Sequence, residues 1–172
     1  MTLSFVLDPP LTATLRARIV DLWAEVTNAG GAVGFVAPVT VDEVRPVAEA
    51  AFAGVGSGLD RLLVGLDGDR PVALLFVTDN RFELKAHWRV LKRVMVAPGS
   101  QGRGHGVALM REAAAVGRKM GLDGLQVTLR DGHGLDAFYR GLGYREVGRI
   151  PGALRVAPGD HRDEVLMWLD LR

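Results

Sequence analysis

The feature that most constrains this chain is a glycine-rich segment that joins a strand pattern to a helix pattern. Alternating apolar residues over 91–96 predict a β-strand. Pro98 ends that strand, because proline has no backbone N–H to donate to a sheet ladder. From Val107 apolar residues recur at helical spacing, so a helix begins inside the segment. The glycines between the two patterns are Gly99, Gly102, Gly104 and Gly106.

A helix that starts in a glycine-rich loop presents its first amide N–H groups without intrahelical acceptors. Together with the positive end of the helix dipole, these groups favour an anion, most often a phosphate. The loop has no Gly-Lys-Ser/Thr, which argues against a P-loop nucleotide site. It also lacks the six-residue G-x-G-x-x-G and an acidic residue after the next strand, so a dinucleotide site is poorly supported. An ordinary turn without a ligand is the alternative, since the chain has 22 glycines.

Length and charge restrict the class of protein further. A chain of 172 residues fits a single domain over 1–172 with a core of its own. With 21 basic and 20 acidic side chains, the net charge of +1 gives no reason to expect a nucleic-acid or anionic-membrane partner. The absence of cysteine excludes disulfides, thiolate nucleophiles and an enzyme-bound thioester.

The sequence also bears on location and metals. No apolar run reaches the length of a membrane span, and the segment 1–5 lacks the basic start of a signal peptide, so we expect a cytoplasmic protein. His161 lies beside Asp160 and Asp163, but their spacing is not typical of a metal site. We therefore expect no metal.

The periodicity along the chain predicts a mixed α/β (or α+β) fold. An Asp-Gly turn at 67–69 between apolar runs indicates a hairpin. Strands are predicted over 3–7, 61–66, 72–78, 86–96, 125–129, 144–149 and 164–169. Helices are predicted over 11–28, 40–53, 104–120 and 135–142. This order predicts a mixed sheet of about seven strands flanked by about four helices.

Two motifs resemble one enzyme family. The run Gln101-x-x-Gly104-x-Gly106, preceded by Val-x-Pro, resembles the acetyl-CoA pyrophosphate loop of GNAT N-acetyltransferases. The run Ala137-Phe138-Tyr139-x-x-x-Gly143-Tyr144 resembles the late motif of that family, in which an aromatic pair precedes Gly-Phe or Gly-Tyr. The spacing of the motifs and the order of elements match the family over nearly the whole chain. Loops at 30–35 and at Pro151-Gly152 resemble the tabtoxin-resistance branch, which acts on the amine of a small amino-acid-like toxin.

The resemblance implies how acetyl-CoA is bound. In the family the sheet is splayed at its central strands, here 86–96 and 125–129, and the pantetheine arm pairs with exposed backbone like an added strand. Backbone N–H groups polarise the thioester carbonyl and hold the pyrophosphate. His133 is near the position where many relatives have an asparagine that contacts the coenzyme. The coenzyme-binding residues implied are Val94, Met95, Val96, Gln101, Gly102, Arg103, Gly104, His105, Gly106, Val107, His133 and Phe138.

The resemblance also assigns chemistry to Tyr139, which matches the general acid of the family. A phenol with a reference pKa of about 10 is protonated at neutral pH and can give its proton to the leaving thiolate. The alternative is that Tyr139 and Phe138 only pack a short helix on the sheet. The implied reaction is acetyl transfer from acetyl-CoA to the primary amine of a small molecule.

The general base is left open, because the strand before the loop has no carboxylate where many relatives have a glutamate. An ordered water chain is one possibility. The side chains considered, each with a solvated surface role as the alternative, are Asp131, His133, Glu83 and His87.

Other side chains receive structural expectations. Arg103 and His105 either contact the phosphate or face water, and Trp23 and Phe52 are expected in the core. A solvated basic face is predicted for Lys92, Arg93, Arg111, Arg118 and Lys119.

Two other functions compete with the enzyme. The first is a GNAT-like domain that binds the coenzyme without chemistry and acts as a sensor or interaction domain, and the second is a nucleotide-binding switch. Dimerisation is common among relatives, so a homodimer is a further expectation from the resemblance.

Overall fold

The computed structural model describes residues 3–172 and confirms the predicted order of elements. The strands are β1 (Ser4–Leu7), β2 (Arg61–Asp67), β3 (Arg70–Thr78), β4 (Trp88–Val96), β5 (Gly124–Arg130), β6 (Arg145–Ala157) and β7 (Asp160–Asp170). The helices are α1 (Ala13–Asn28), α2 (Val41–Gly56), α3 (His105–Lys119) and α4 (Leu135–Arg140). Short 3-10 turns lie at Glu83–Lys85 and Pro98–Ser100.

The seven strands form one mixed sheet in the order β1-β2-β3-β4-β5-β7-β6. The ladders β1–β2, β2–β3, β5–β7 and β6–β7 are antiparallel, whereas β4 and β5 are parallel. The parallel ladder pairs Trp88 with Gly124 at one end and Leu91 with Val127 at the other. The fold is therefore the α/β arrangement of seven strands and four helices that the sequence predicts.

The chain packs as two compact units. The first contains the described residues up to Thr78 together with Lys92–Ala113, and the second contains Asp79–Leu91 together with Ala114–Arg172. The strand β4 contributes its first residues to the second unit and its last residues, which lead into the glycine-rich loop, to the first.

In the first unit, side-chain caps set where the helices begin. The Thr12 hydroxyl accepts a hydrogen bond from the Leu15 N–H, so α1 begins at Ala13. Thr40 and Glu43 form a reciprocal capping box that starts α2. The apolar faces of these helices pack on β2 and β3. Trp23 is 0% exposed and Phe52 is 1% exposed, which confirms both as core residues.

In the second unit, β6 corrects a predicted boundary. The strand runs through Pro151 and Gly152, where the sequence predicted a loop. Because β6 is an outer strand of the sheet, the missing N–H of Pro151 leaves no central ladder incomplete. The register with β7 shifts between Ile150 and Leu154, and Gly152 takes a φ of +60° inside that irregularity.

Two other predicted boundaries differ from the observed ones by three residues or more. The helix α2 continues to Gly56, three residues beyond the predicted end, and Gly58 takes the positive φ that follows its last turn. The strand β7 begins at Asp160 rather than at Glu164.

Among residues 3–172, no helix is both long enough and apolar enough to cross a membrane.

Candidate active site

The end of β4 is fixed before the glycine-rich loop begins. The Ala97 N–H donates to the Val72 carbonyl oxygen at 2.7 Å, which ties this point of the chain to β3. In the loop, Gly102 has a φ of +73° and Gly104 a φ of +81°, a conformation that residues with a Cβ adopt at a cost. These two glycines are the ones that the path of the loop requires.

The loop leaves a run of backbone donors unused. The first helical hydrogen bond is donated by Ala108 to the Gly104 carbonyl oxygen at 3.0 Å. Within the part of the chain that the structure describes, the N–H groups from Gly102 to Val107 have no acceptor. Six donors at the positive end of α3 form an environment suited to an anion.

Gln101 differs from the six residues that follow it. Its N–H donates to the Pro98 carbonyl oxygen at 3.3 Å, and its side-chain Nε2 donates to the Val96 carbonyl oxygen at 3.1 Å. Gln101 therefore ties the loop back to β4. Beside it, Arg103 is exposed and His105 is half-buried.

The last residues of β4 are the predicted contacts for the pantetheine arm. The Met95 side chain is buried at 1% exposure, whereas Val94 and Val96 are half-buried. The partner strand β5 pairs with β4 only up to Leu91, so this ladder does not extend to these three residues among those described.

Tyr139, the predicted acid, lies in the second unit on α4. Its ring makes edge contacts with Phe138 at 5.1 Å and with Tyr144 at 5.4 Å between ring centroids. Its main-chain carbonyl accepts from the N–H groups of Leu142 and Tyr144, both at 3.0 Å, which fixes the turn after α4. Burial raises the pKa of the Tyr139 hydroxyl well above its usual value of 10, so the side chain is protonated at neutral pH.

Tyr144 is the buried neighbour of Tyr139 and is only 3% exposed. Its hydroxyl has no hydrogen-bond partner among residues 3–172. Burial, with a further contribution from Tyr139, raises the pKa of the Tyr144 hydroxyl as well. The two phenols are therefore both neutral donors at physiological pH.

The candidate bases differ in how they are held. The Asp131 carboxylate accepts from Arg149 at 3.0 Å and from the Gly132 N–H at 2.9 Å, so it is already engaged. The other three candidates are exposed side chains of the second unit: Glu83, His87 and His133.

Arg149 connects Asp131 to two further carboxylates. It binds Glu146 at 3.0 Å and Asp163 at 3.1 Å, and Asp163 also accepts from the Gly152 N–H at 2.9 Å. Hydrogen bonding to Arg149 lowers the pKa of Glu146. The pKa of Asp163 is lowered by its bond to the Gly152 N–H and then by Arg149. These ion pairs link β6 to β7 and to Asp131, which follows β5.

Among residues 3–172, no three His, Asp or Glu side chains form a group that could hold a metal ion. His161 instead lies near Arg155, whose Nε donates to the His161 Nε2 at 3.3 Å.

Arg93 corrects the sequence-based expectation. Lys92, Arg111, Arg118 and Lys119 are exposed as predicted, but Arg93 is half-buried in the first unit. A φ of +55° places it in the left-handed region, so the alternation of the strand no longer tells which way its side chain points. The alternation of residues in the strand therefore could not predict that the Arg93 side chain is half-buried.

The candidate residues are divided between the two units. The first unit holds Val94–Val96 and the loop from Gln101 to Val107, while the second holds His133, Phe138 and Tyr139. His133 is exposed and Phe138 is half-buried.

Comparison with known families gives an independent observation. Residues 22–144, more than half of the chain, match the model of the acetyltransferase (GNAT) family. This match includes both the glycine-rich loop and Tyr139.

Solved structures share the fold at low sequence identity. A ribosomal-protein-alanine N-acetyltransferase from Brucella melitensis has a TM-score of 0.78 and 18% identity, covering 96% of this chain and 99% of that one. A putative acetyltransferase from Salmonella typhimurium, solved with its cofactor acetyl-CoA, has a TM-score of 0.78 and 16% identity, covering 100% of this chain and 95% of that one. A putative phosphinothricin N-acetyltransferase has a TM-score of 0.75 and 18% identity, covering 98% of this chain and 99% of that one.

Proposed function

The chain belongs to the GNAT family of acetyltransferases, and from that premise we propose that it transfers the acetyl group of acetyl-CoA directly to the primary amine of a small molecule. The observation that carries the proposal is the run of six unused N–H groups from Gly102 to Val107. Such donors at a helix N-terminus suit the pyrophosphate of the coenzyme. The exposed Arg103 adds positive charge beside them.

The rest of the coenzyme is assigned from the family motif. The pantetheine arm pairs with the backbone of Val94, Met95 and Val96, in the manner of a peptide added to a sheet. A backbone N–H of this segment polarises the thioester carbonyl. His133 and Phe138 are the proposed coenzyme contacts contributed by the second unit.

The proposed reaction is a single displacement at the thioester carbon. The neutral amine forms the C–N bond and loses a proton, while negative charge on the carbonyl oxygen is stabilised by the backbone N–H. The C–S bond then breaks, and the coenzyme thiolate takes a proton from the hydroxyl of Tyr139. The resulting phenolate recovers a proton from solvent, so each turnover yields an amide and free CoA.

The environment of Tyr139 suits a donor and not a base. Burial raises its pKa above that of an ordinary phenol, so the hydroxyl carries its proton throughout the physiological range. A thiolate has a reference pKa near 8.5, which makes transfer from this phenol uphill in water. Burial in an apolar site also raises the pKa of the coenzyme thiol. This reduces the difference between the pKa values of the thiol and the phenol.

Removal of the proton from the amine is assigned to ordered water. The β4 segment before the loop reads Val90-Leu91-Lys92-Arg93-Val94 and offers no carboxylate. The Asp131 carboxylate already accepts a hydrogen bond from Arg149, which makes it less suited to take the proton of the amine.

Coenzyme binding is tested first, by titration calorimetry of the purified protein. We expect saturable binding of acetyl-CoA and CoA and no binding of ATP, GTP or NAD at the same concentrations. Tight binding of ATP or GTP without binding of CoA would instead support a nucleotide switch.

Chemistry is tested by following CoA release across a panel of primary amines, with two tyrosine variants. Tyr139→Phe should bind acetyl-CoA normally and lose about 10²-fold or more in kcat, the usual contribution of a general acid. Tyr144→Phe is the matched control, because it removes a neighbouring buried hydroxyl to which no step is assigned. Equal turnover by the wild type and Tyr139→Phe would remove the assigned acid, and binding without any turnover would favour a sensor.

A further inference from the structure

Arg93 has a conformation that its position in a strand does not explain. It lies in β4 with a φ of +55°, which costs a residue with a Cβ about 1–2 kcal/mol relative to ordinary strand geometry. Strained backbone of this kind is found preferentially where a side chain has a functional orientation to hold.

The guanidinium is held in place by two features of the first unit. Its Cζ lies 5.3 Å from the centroid of the Trp23 ring, in cation–π geometry. Gly34, with a φ of +99°, passes so close that an added Cβ would lie 2.0 Å from the Arg93 Nη1. The positive φ favours glycine at position 34, and its bare backbone leaves room for the guanidinium in the observed position.

The Trp23 ring on which the guanidinium lies is itself held in place. The Trp23 Nε1–H donates to the Val33 carbonyl oxygen at 2.9 Å, and the Phe35 ring meets the indole edge-on at 6.2 Å. Trp23 is 0% exposed, so its ring is fixed by packing as well. The aromatic surface on which the Arg93 guanidinium lies is therefore fixed by packing and by a hydrogen bond.

The Arg93 guanidinium has no anionic partner among the described residues. Among residues 3–172, the Arg93 side chain makes no hydrogen bond and no ion pair, although a guanidinium carries five N–H donors. Its pKa is lowered by desolvation alone, with no carboxylate to offset the burial. It nevertheless keeps its charge at neutral pH. A half-buried, oriented and unpaired guanidinium is complementary to a carboxylate, which it can bind through two parallel hydrogen bonds.

We propose that Arg93 binds a carboxylate of the acceptor, so that the substrate class is an amine that also carries a carboxylate, such as an amino acid. This inference rests on the proposed acetyltransferase function. Arg93 directly precedes Val94–Val96, the backbone assigned to the pantetheine arm, and lies about 10 Å back along the strand from Val96 at about 3.3 Å per residue. It is thus separated along the chain from the loop that would hold the coenzyme phosphates, and on this ground it is assigned to the acceptor rather than to those phosphates.

The test uses acceptors that differ only in the carboxylate. CoA release is measured for the common L-amino acids, their α-amides and the corresponding decarboxylated amines. The wild type should prefer the carboxylate member of a matched set by about 10- to 100-fold in kcat/KM, the worth of hydrogen bonds to a charged group. A uniform preference for the amides or the simple amines would overturn the inference.

Variants then assign the preference to one residue. Arg93→Met keeps most of the apolar stem and should abolish the preference through KM, whereas Arg93→Lys should retain part of it. Lys92→Met is the matched control, because it removes an adjacent exposed cation and should leave the preference unchanged. If Arg93→Met misfolds, as judged by its thermal transition, Arg93→Lys and the wild-type preference still decide the question.

Acetyl-CoA affinity separates the failure of the inference from the failure of the function. Arg93→Met should bind acetyl-CoA as the wild type does, and a large loss would assign Arg93 to the coenzyme and overturn the inference. Acetylation of simple amines or of peptide N-termini, but of no free amino acid, would overturn the inference and leave an acetyltransferase. A wild type that binds no acetyl-CoA would overturn both.

Discussion

Gly124 lies so close to Trp168 that a Cβ added at Gly124 would come within 2.0 Å of the indole Cζ2. Gly124 also pairs with Trp88 in the parallel ladder between β4 and β5. The two tryptophan rings meet edge-on, with 5.5 Å between centroids. The bare backbone of Gly124 therefore lets the indole of Trp168 lie across β5 and reach Trp88.

Gly124→Ala should destabilise the protein, because the nearby indole atoms of Trp168 are part of a packed ring and not the end of a flexible chain. We expect a loss of about 1–3 kcal/mol in the free energy of unfolding, the range for overpacking. Chemical denaturation followed by tryptophan fluorescence measures it. Gly148→Ala is the control, since the nearest atom to an added Cβ there is 3.9 Å away. Equal stability of the two variants would show that the tryptophan pair can move aside.

Tyr144→Phe should leave stability unchanged or raise it by up to about 1–3 kcal/mol, because it removes a buried hydroxyl that has no partner among the described residues. The ring contact with Tyr139 is retained in this variant. The thermal transition of the variant checks the expectation. A marked destabilisation would mean that the hydroxyl makes a hydrogen bond in solution, for example to water.

Arg149→Gln should raise the pKa values of both Glu146 and Asp163. The folded-state pKa of each is held below its usual value, so each stabilises the fold above its unfolded pKa, and this stabilisation is lost as pH falls through the folded pKa. The pH dependence that these two groups give to stability therefore lies below a pH of about 4, whereas the stabilisation itself is present above that pH and is reduced in the variant. Carboxyl titration by NMR measures both groups. Asp163 should shift less than Glu146, because the Gly152 N–H continues to hold it.

Gly104→Ala should weaken acetyl-CoA binding, because its φ of +81° disfavours a Cβ even though there is open space around it. The cost of about 1–2 kcal/mol corresponds to roughly a 5- to 30-fold rise in Kd if the loop relaxes when free. Gly99→Ala is the matched control in the same loop, with open space and no positive φ. Identical acetyl-CoA affinities for the two variants would indicate that the loop conformation does not contribute to binding.

The sequence predicted the architecture because most of its signals are local. Apolar spacing marks helices and strands, and proline and glycine mark their ends, so the order of elements followed from the chain alone. The prediction failed at Pro151-Gly152, where the chain continues as β6. Proline usually interrupts a strand, and only the outer position of β6 in the sheet makes it tolerable there.

The same distinction applies to the candidate site. Sequence patterns alone were enough to predict that a glycine-rich loop leads into α3 and that Tyr139 follows in a short aromatic helix, because both are runs of neighbouring residues. The hydrogen bond between Arg149 and Asp131 and the contact of Arg93 with Trp23 join residues far apart in the chain, so they became visible only in the folded protein. Trp23 and Arg93 are 70 positions apart, and their contact depends on a positive φ and on the close approach of Gly34. Periodicity reports which face a residue occupies in regular structure, so it carries no information on a contact that arises from a departure from that regularity.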